Sequence, residues 1–411
     1  MMKILVINCG SSSIKYQAYD MPGKRLLARG LVERIGEPAG LFVHRRDSEK
    51  FESESRVADH QAAMTLVLEA LTHPERGVVK SIREIGAVGH RVVHGGEAYS
   101  APVLIDGDVE QAIEDYGELA PLHNPPNLVG IRAARAALPG VPMAAVFDTA
   151  FHQTLPPEAY LYPLPYEIYE KYRIRKYGFH GSSHQYVASR TAELLRRDPA
   201  AGLKLVTCHL GNGCSLAAVR DGKSVDTSMG FTPLAGVMMG TRSGDIDPCV
   251  PLYLQGKPEF ARPGDVDRML NKHSGLLGVG GVSNDMRNCI ETAERDGPKS
   301  RAALALDMFA YRIRFFIGAY TAVLGGLDAI ALTGGIGENS HPMRARILDG
   351  LGGVGAKMDP ERNAAMTGGK EGSIAAAGSA CEILIVPTDE EGFIAAETHR
   401  LCGEARPATA G

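Results

Sequence analysis

Three short segments rich in glycine and small polar residues carry groups that handle anions. The first is Asn8-Cys9-Gly10-Ser11-Ser12-Ser13, with Lys15 just beyond it. Small residues let a backbone come close to an anion, and turn N–H groups and hydroxyls donate to phosphate oxygens. Asn8 could offer an oxygen to a metal ion or its water, and Lys15 a cation. An ordinary hairpin turn would have the same composition. The second is His209-Leu210-Gly211-Asn212-Gly213. Here an asparagine amide between glycines could reach a phosphate, although Asn-Gly is also a common hairpin turn. Two such turns in one chain favour the anion-binding reading of both. The third, Gly334-Gly335-Ile336-Gly337-Glu338-Asn339, follows an apolar run. It holds G-x-G without the full dinucleotide fingerprint. It reads as a glycine-rich strand-to-helix turn suited to a nucleotide's phosphates or base edge. The Walker pattern is absent, so any ATP site must use another architecture.

Arg91 lies in Gly89-His90-Arg91-Val92-Val93-His94-Gly95-Gly96, and Arg242 in Gly240-Thr241-Arg242-Ser243-Gly244-Asp245. A planar guanidinium binds carboxylate and phosphate bidentately. Most arginines make structural ion pairs, but the glycine flanks point to close backbone approach at these two. His123-Asn124-Pro125-Pro126-Asn127 reads as a rigid polar turn, and Phe147-Asp148 ends a strand with an acid. Gly178-Phe179-His180-Gly181-Ser182-Ser183-His184 sets a histidine between an aromatic and a glycine, in a loop or helix start. Taken singly, each histidine is better explained by a structural hydrogen bond.

The elements that must position these groups alternate between strand and helix. Residues 4–7 read as a buried strand, and Met64, Val67, Leu68 and Leu71 share one helix face. Met143–Phe147 is another apolar run, ending at Asp148. Lys204–Leu210 and Ala329–Thr333 read as strands running into glycine-rich turns, and Arg301–Leu324 as a long helix stopped by Gly325-Gly326. Residues 382–387 form a last strand, and the tail 403–411 is small, polar and expected to be loose. Such alternation means α/β architecture. A weak repeat accompanies it. ILVINCGSSSIKYQAYD at 4–20 and LVTCHLGNGCSLAAVRD at 205–221 both read strand, turn, strand, and each half later has a strand ending in Gly-Gly, at 87–96 and 328–335. This pattern suggests duplication into two similar lobes.

A length of 411 residues suits about two or three domains. Hydrophobic residues at 44% and charged residues at 22% leave no large part to disorder. A formal net charge of −4 argues against nucleic acid or an anionic membrane as partner. Seven cysteines without a C-x-x-C argue against a disulfide framework or zinc site and fit a reducing cytosol. No run approaches the roughly 20 apolar residues of a membrane span, and the first residues lack the length of a secretory signal. The expectation is a cytoplasmic protein.

In their order and spacing, eight segments closely resemble the acetate kinase family, in the superfamily of acetate and sugar kinases, Hsp70 and actin. They are NCGSSS at 8–13, GHRVVHGG at 89–96, LHNPPN at 122–127, FDTAFH at 147–152, YGFHGSSH at 177–184, HLGNG at 209–213, GTRSGDIDP at 240–248 and GGIGEN at 334–339. The resemblance implies two duplicated ribonuclease-H-like (actin-like ATPase) lobes around a central ATP cleft. The first would span 1–149 plus a returning segment 386–411, and the second 150–385. It implies a homodimer and a reversible, magnesium-dependent transfer of the ATP γ-phosphate to acetate, with manganese as a substitute metal. By the same resemblance, Asn8 and Glu390 lie near the metal. Lys15, His209, Leu210, Gly211, Asn212, Gly213, Asp285, Met286, Arg287, Gly335, Ile336, Gly337, Glu338 and Asn339 surround ATP. Arg91 and His123 serve the acyl substrate, with Val93, Leu122, Phe179 and Pro233 as its methyl pocket. His180 and Arg242 stabilise the moving phosphoryl group, and Asp148 sits at the centre. The sequence Thr-Asp-Glu-Glu at 388–391 departs from an expected Asn-Glu-Glu ending but keeps Glu390.

Acetate is already ionised near pH 7, so the forward reaction needs no general base. Asp148 is therefore read as an organiser of metal, water or a nearby cation rather than a proton acceptor. The rivals are a propionate or broad short-chain carboxylate kinase, a pyrophosphate-dependent relative, and a nucleotide-driven scaffold of the actin or Hsp70 kind. A phosphoenzyme route is the alternative to direct in-line transfer.

Overall fold

The computed structural model describes residues 2–404. Residues 405–411, which include most of the tail and the end of the expected returning segment, lie outside them. The chain forms two compact units, one made of residues up to Gln153 together with those from Asp389 on, the other Thr154–Thr388.

The first unit is built on an eight-stranded sheet: β1 Met2–Cys9, β2 Ser13–Met21, β3 Arg25–Glu33, β4 Gly40–Arg46, β5 Glu49–Ser55, β6 Ile85–Val92, β7 Val103–Leu104 and β8 Met143–Phe147. Its order is β5-β4-β3-β2-β1-β6-β8-β7. β1 is apolar without alternation because both faces are covered. Leu5 and Ile7 pack in a core with Met64, Val67 and Leu71, while Ile4 and Val6 pack with Ile394 and Ala395 of the last helix. The helix His60–Thr72 starts where Asp59 accepts a hydrogen bond from the Ala62 N–H, and it buries the four residues whose spacing predicts it. The last helix runs Glu390–Glu404, so Gly403 is helical rather than part of a loose tail.

The second unit holds a six-stranded sheet: β9 Lys204–Leu210, β10 Cys214–Arg220, β11 Lys223–Thr227, β12 Ala329–Thr333, β13 Gly372–Ser373 and β14 Glu382–Ile385. Its order is β11-β10-β9-β12-β14-β13. The repeat is plain in this topology. In each unit a hairpin (β1-β2 or β9-β10) is extended by a third strand on one side. On the other side two parallel strands follow, β6 and β8 or β12 and β14. The helix Arg301–Leu324 begins at a Ser300 cap and ends on Gly325 at φ 66°. Among the described residues no helix is long and apolar enough to cross a membrane, and all seven cysteines are free.

Four histidines of the first unit are buried: His44, His90, His94 and His152. Burial pushes the His90 ring down to about 3 and that of His94 to about 4. It also lowers His44, outweighing the hydrogen bond to the Arg76 carbonyl. The unfolded chain therefore binds more protons below its own histidine pKa, roughly 6.5. Stability from these groups is complete above that pH and is lost as pH falls, by up to about 1.4 kcal/mol per unit for each ring. The urea midpoint should be level above about pH 7 and drop steeply between roughly 6.5 and 4. A midpoint unchanged down to pH 4 would mean that the native state lets these rings protonate freely.

Candidate active site

In the first unit, Asn8, Arg91 and Asp148 sit at the carboxyl ends of the adjacent parallel strands β1, β6 and β8, the edge where open α/β sheets hold their ligands. Arg91 Nε donates to Asp148 Oδ1 at 3.1 Å, and its Nη2 donates to Oδ2, making a two-pronged pair. Nη1 reaches Asn8 Oδ1 at 3.3 Å. Asp148 is 1% exposed. Burial works against the Arg91 charge, but Asp148, Glu390 and Glu391 more than offset it and raise the guanidinium above its ordinary value. Lys15 is the cross-strand partner of Asn8. Glu390, at the start of the last helix, is pushed up by burial despite Arg91 and Lys15 nearby. Asp389, the departure from the expected asparagine, accepts from the Gly392 N–H at 3.0 Å. Either residue type caps a helix in this way, so the change keeps the geometry before Glu390.

Two buried asparagines fasten this edge. Asn127 accepts from the Val93 N–H and donates to the Cys9 carbonyl at 2.7 Å, tying the Arg91 loop to the β1-β2 turn. Asn124 accepts from the His94 N–H and donates to the His94 and Ile113 carbonyls. They belong to the helix Asn124–Ala137, so the expected rigid polar turn is a helix start. His123 is exposed beside it. β6 stops at Val92, so Val93, expected in the methyl pocket, lies one residue beyond the strand that carries Arg91. Val93 is buried, whereas Leu122 is 73% exposed in this unit.

In the second unit the ends of β9, β12 and β14 repeat the arrangement. His180 precedes the helix Gly181–Leu195 with a left-handed backbone, φ 56°, which is uncommon outside glycine and clusters at functional sites. Its Nδ1 is hydrogen-bonded to Ser215 Oγ at 2.8 Å, and its ring stacks on His209 at 4.3 Å between centroids. His209 Nδ1 meets Ser183 Oγ at 2.8 Å, and Ser183 meets Thr388 Oγ1 at 2.8 Å. Arg242 is half-buried, donating to the Pro233 carbonyl at 3.2 Å, and among the described residues it pairs with no carboxylate. Burial lowers its pKa, so its charge is costly until an anion arrives. Cys214 is no such anion, since burial pushes its thiol up to about 12. A Cβ placed on Gly213 would lie 3.5 Å from His180 Nε2 and 3.6 Å from Arg242 Nη1, so both groups converge on one point.

Beside that point lies a cavity of about 660 Å³, lined by Gly211, Asn212, Asp285, Met286, Arg287, Gly335, Ile336 and Asn339. The expected turn after β12 is a short helix, Gly334–Asn339. Gly334 has φ 75°, and a Cβ there would sit 2.7 Å from the Leu210 carbonyl oxygen. Leu210 and Gly337 are buried in the packing beneath. Glu338 turns away from the cavity and accepts from the Gly334 and Thr388 N–H groups at 2.9 and 3.1 Å. Sequence reasoning missed Asn284, Ile290, Glu291, Ser340, His341 and Pro342 on the cavity wall. Helical spacing could have found two of them, because Ile290 and Glu291 lie four beyond Met286 and Arg287. Asn284 donates to Asn212 Oδ1 at 2.9 Å, a contact between residues 72 apart that spacing does not reveal.

The sequence pattern of the Acetokinase family matches residues 3–396. The acetate kinase of Desulfitobacterium hafniense (strain DSM 10664 / DCB-2) is 58% identical over 398 residues, covering 97% of this chain and 98% of that protein. The acetate kinase of Clostridium botulinum (strain 657 / Type Ba4) is 54% identical over 400 residues, covering 97% and 99%. Among solved structures, Porphyromonas gingivalis acetate kinase superposes with a TM-score of 0.93 at 42% identity, covering 98% of this chain and 100% of that one. A propionate kinase from Francisella tularensis subsp. tularensis SCHU S4 gives 0.90 at 40% identity, with the same coverage.

Proposed function

The chain belongs to the acetokinase family, with the actin-like ATPase fold, and from that premise we propose that it transfers the γ-phosphate of ATP reversibly to acetate, giving acetyl phosphate and ADP. The observation that carries this reading is Arg242, a half-buried cation without a carboxylate, aimed with His180 at one point beside the Gly211–Gly213 turn and its cavity. Phosphoryl transfer needs positioning and charge neutralisation more than covalent help. An acetate oxygen is the nucleophile, and the obstacle is its repulsion by the phosphates. Arg242 and His180 bind the transferring group, and the cavity takes the nucleotide. Arg91, oriented by Asp148, holds the acetate carboxylate. Each such contact lowers the barrier by about 3–4 kcal/mol in a site that excludes water. Transfer is direct and in line.

Asn8 Oδ1 and the Glu390 carboxylate are the groups that would hold magnesium. Among the described residues no three His, Cys, Asp or Glu side chains form a metal cluster. That donor set suits an ion that keeps waters and phosphate oxygens as most of its ligands. A carboxyl pushed up by burial, as Glu390 is, gains from a cation. Magnesium supplies charge neutralisation on the ATP phosphates. Glu390→Ala and Asn8→Ala should therefore raise the magnesium requirement several-fold and leave the acetate KM nearly unchanged. The opposite pattern in paired titrations would move both residues to the acyl side.

Two further features accompany the proposal. The helix Arg301–Leu324 exposes Leu304, Met308, Tyr311, Phe315 and Val323 along one stripe, which supports a homodimer. The free cysteines support a cytoplasmic location.

Hydroxylamine trapping tests the activity. With ATP and acetate, the protein should produce acetyl hydroxamate at a catalytic rate. One methylene is worth about 1–3 kcal/mol, so acetate should exceed propionate by roughly tenfold to a few hundredfold. Slow ATP hydrolysis without hydroxamate would point to a nucleotide-driven scaffold instead. Propionate in front of acetate would change the substrate and keep the reaction.

A further inference from the structure

We propose that Thr207, His184 and Ser215 form a directed hydrogen-bond relay that holds His180 as its Nε2–H tautomer, so that His180 donates to the transferring phosphoryl group while uncharged. The inference rests on the phosphoryl-transfer reading above and assigns positioning roles to three residues that reading does not use.

All three are completely buried, Thr207 on β9, Ser215 on β10 and His184 in the first turn of the helix Gly181–Leu195. Ser215 Oγ lies 2.8 Å from His180 Nδ1 and 2.8 Å from His184 Nε2. A hydroxyl has one proton, so Ser215 donates to one ring and accepts from the other. His184 Nδ1 lies 2.7 Å from Thr207 Oγ1. Thr207 also faces the Ala217 carbonyl oxygen, but at 3.5 Å, the limit of a hydrogen bond. In the proposed relay Thr207 is the donor of the shorter contact, to His184 Nδ1. That leaves the His184 proton on Nε2, where it donates to Ser215. Ser215 in turn donates to His180 Nδ1, and the His180 proton is left on Nε2, because each ring nitrogen is set by what the other does.

Nε2 is the atom that converges with Arg242 beside Gly213. Arg242 supplies the reason for a neutral ring, since a second cation at the same point is disfavoured while no anion is bound. The His209 ring, from β9, also stacks against His180, and His184, on the helix that His180 precedes, reaches it through Ser215. A neutral donor lets the site accept phosphate over the whole range in which acetate and ATP are ionised.

Two experiments test the relay. The first reads the ring nitrogens of the wild-type protein by ¹⁵N-histidine NMR at neutral to mildly alkaline pH. Both His180 and His184 should show a protonated Nε2 and a bare Nδ1. A protonated Nδ1 on neutral His180 overturns the proposal whatever the activity. The second compares two substitutions of equal size. His184→Gln offers an amide that accepts from Thr207 and donates to Ser215, so kcat should stay within about threefold of wild type, with a parallel pH profile. His184→Glu presents an acceptor to Ser215 and reverses the relay. His180 then donates from Nε2 only as an imidazolium, and kcat should fall about tenfold per pH unit above its pKa. Equal loss in both variants with the wild-type pH profile would make the cluster structural and sink the relay. A wild-type protein with the expected tautomers that forms no acyl hydroxamate would instead refute the phosphoryl-transfer reading and leave the relay standing.

Discussion

Arg242→Ala should lower kcat by about a thousandfold or more, roughly 4 kcal/mol of transition-state stabilisation, in a protein that still folds. The two halves of that statement have separate causes. Arg242 makes no ion pair among the described residues and gives up a hydrogen bond to the Pro233 carbonyl and a weak one to Met239 Sδ. Losing such a bond costs about 1 kcal/mol, so Tm should move little. What the substitution removes is a desolvated cation beside Gly213, where charge on the transferring group has to be met. The effect should appear in kcat more than in the KM for acetate, because the contact strengthens as the phosphoryl group leaves ADP. Added guanidinium should restore part of the rate if charge is what is missing. A variant within about tenfold of wild type, near 1.4 kcal/mol, would take Arg242 out of the reaction.

Asp148→Asn carries the next largest expected effect, a fall of about a hundredfold to a thousandfold in kcat/KM for acetate, or roughly 3–4 kcal/mol. Asp148 grips Arg91 with both oxygens and is buried, while the Arg91 side chain stays partly exposed. The amide keeps the shape but accepts with one oxygen only, so the fork of Arg91 is freed on one side and its charge loses its counter-ion. Alanine would be a poorer test, because removing one partner of a buried pair destabilises by about 3–5 kcal/mol. The decisive comparison is a double-mutant cycle. If Asp148 acts through Arg91, Asp148→Asn should add almost nothing in an Arg91→Ala background. If Asp148 moves a proton itself, the two losses should multiply.

Much of the scaffold was legible locally. The strands Met143–Phe147, Lys204–Leu210 and Ala329–Thr333 and the helix Arg301–Leu324 have the limits that apolar runs and glycine stops indicate. Strand and helix periods, and the glycine that ends a helix, depend on neighbours a few residues away. The repeat was legible for the same reason, since each copy begins as a hairpin read from one short segment. The motifs around Asn8, Arg91, Asp148, His180 and Arg242 drew notice through glycines and polar side chains at strand ends, where backbones turn and ligands can approach.

Partnership and direction were decided only in the tertiary structure. Arg91 and Asp148 are 57 residues apart and become a pair because β6 and β8 lie side by side in register. Glu338 belongs to a glycine-rich motif that reads as nucleotide-binding, yet its carboxylate turns inward to hold the Gly334 and Thr388 N–H groups. Val93 loses its strand geometry one residue past the end of β6, and His123 and Leu122 stand exposed at a helix start rather than in a rigid turn. Ser215 and Thr207 look like ordinary strand residues until the fold sets them against His180 and His184. The physical reason is common to all of these. Backbone type follows from short-range sterics and periodicity, which the amino-acid order contains. What a side chain touches depends on which distant segments pack against it, and that is fixed by the sheet order and by the burial that assembles each core.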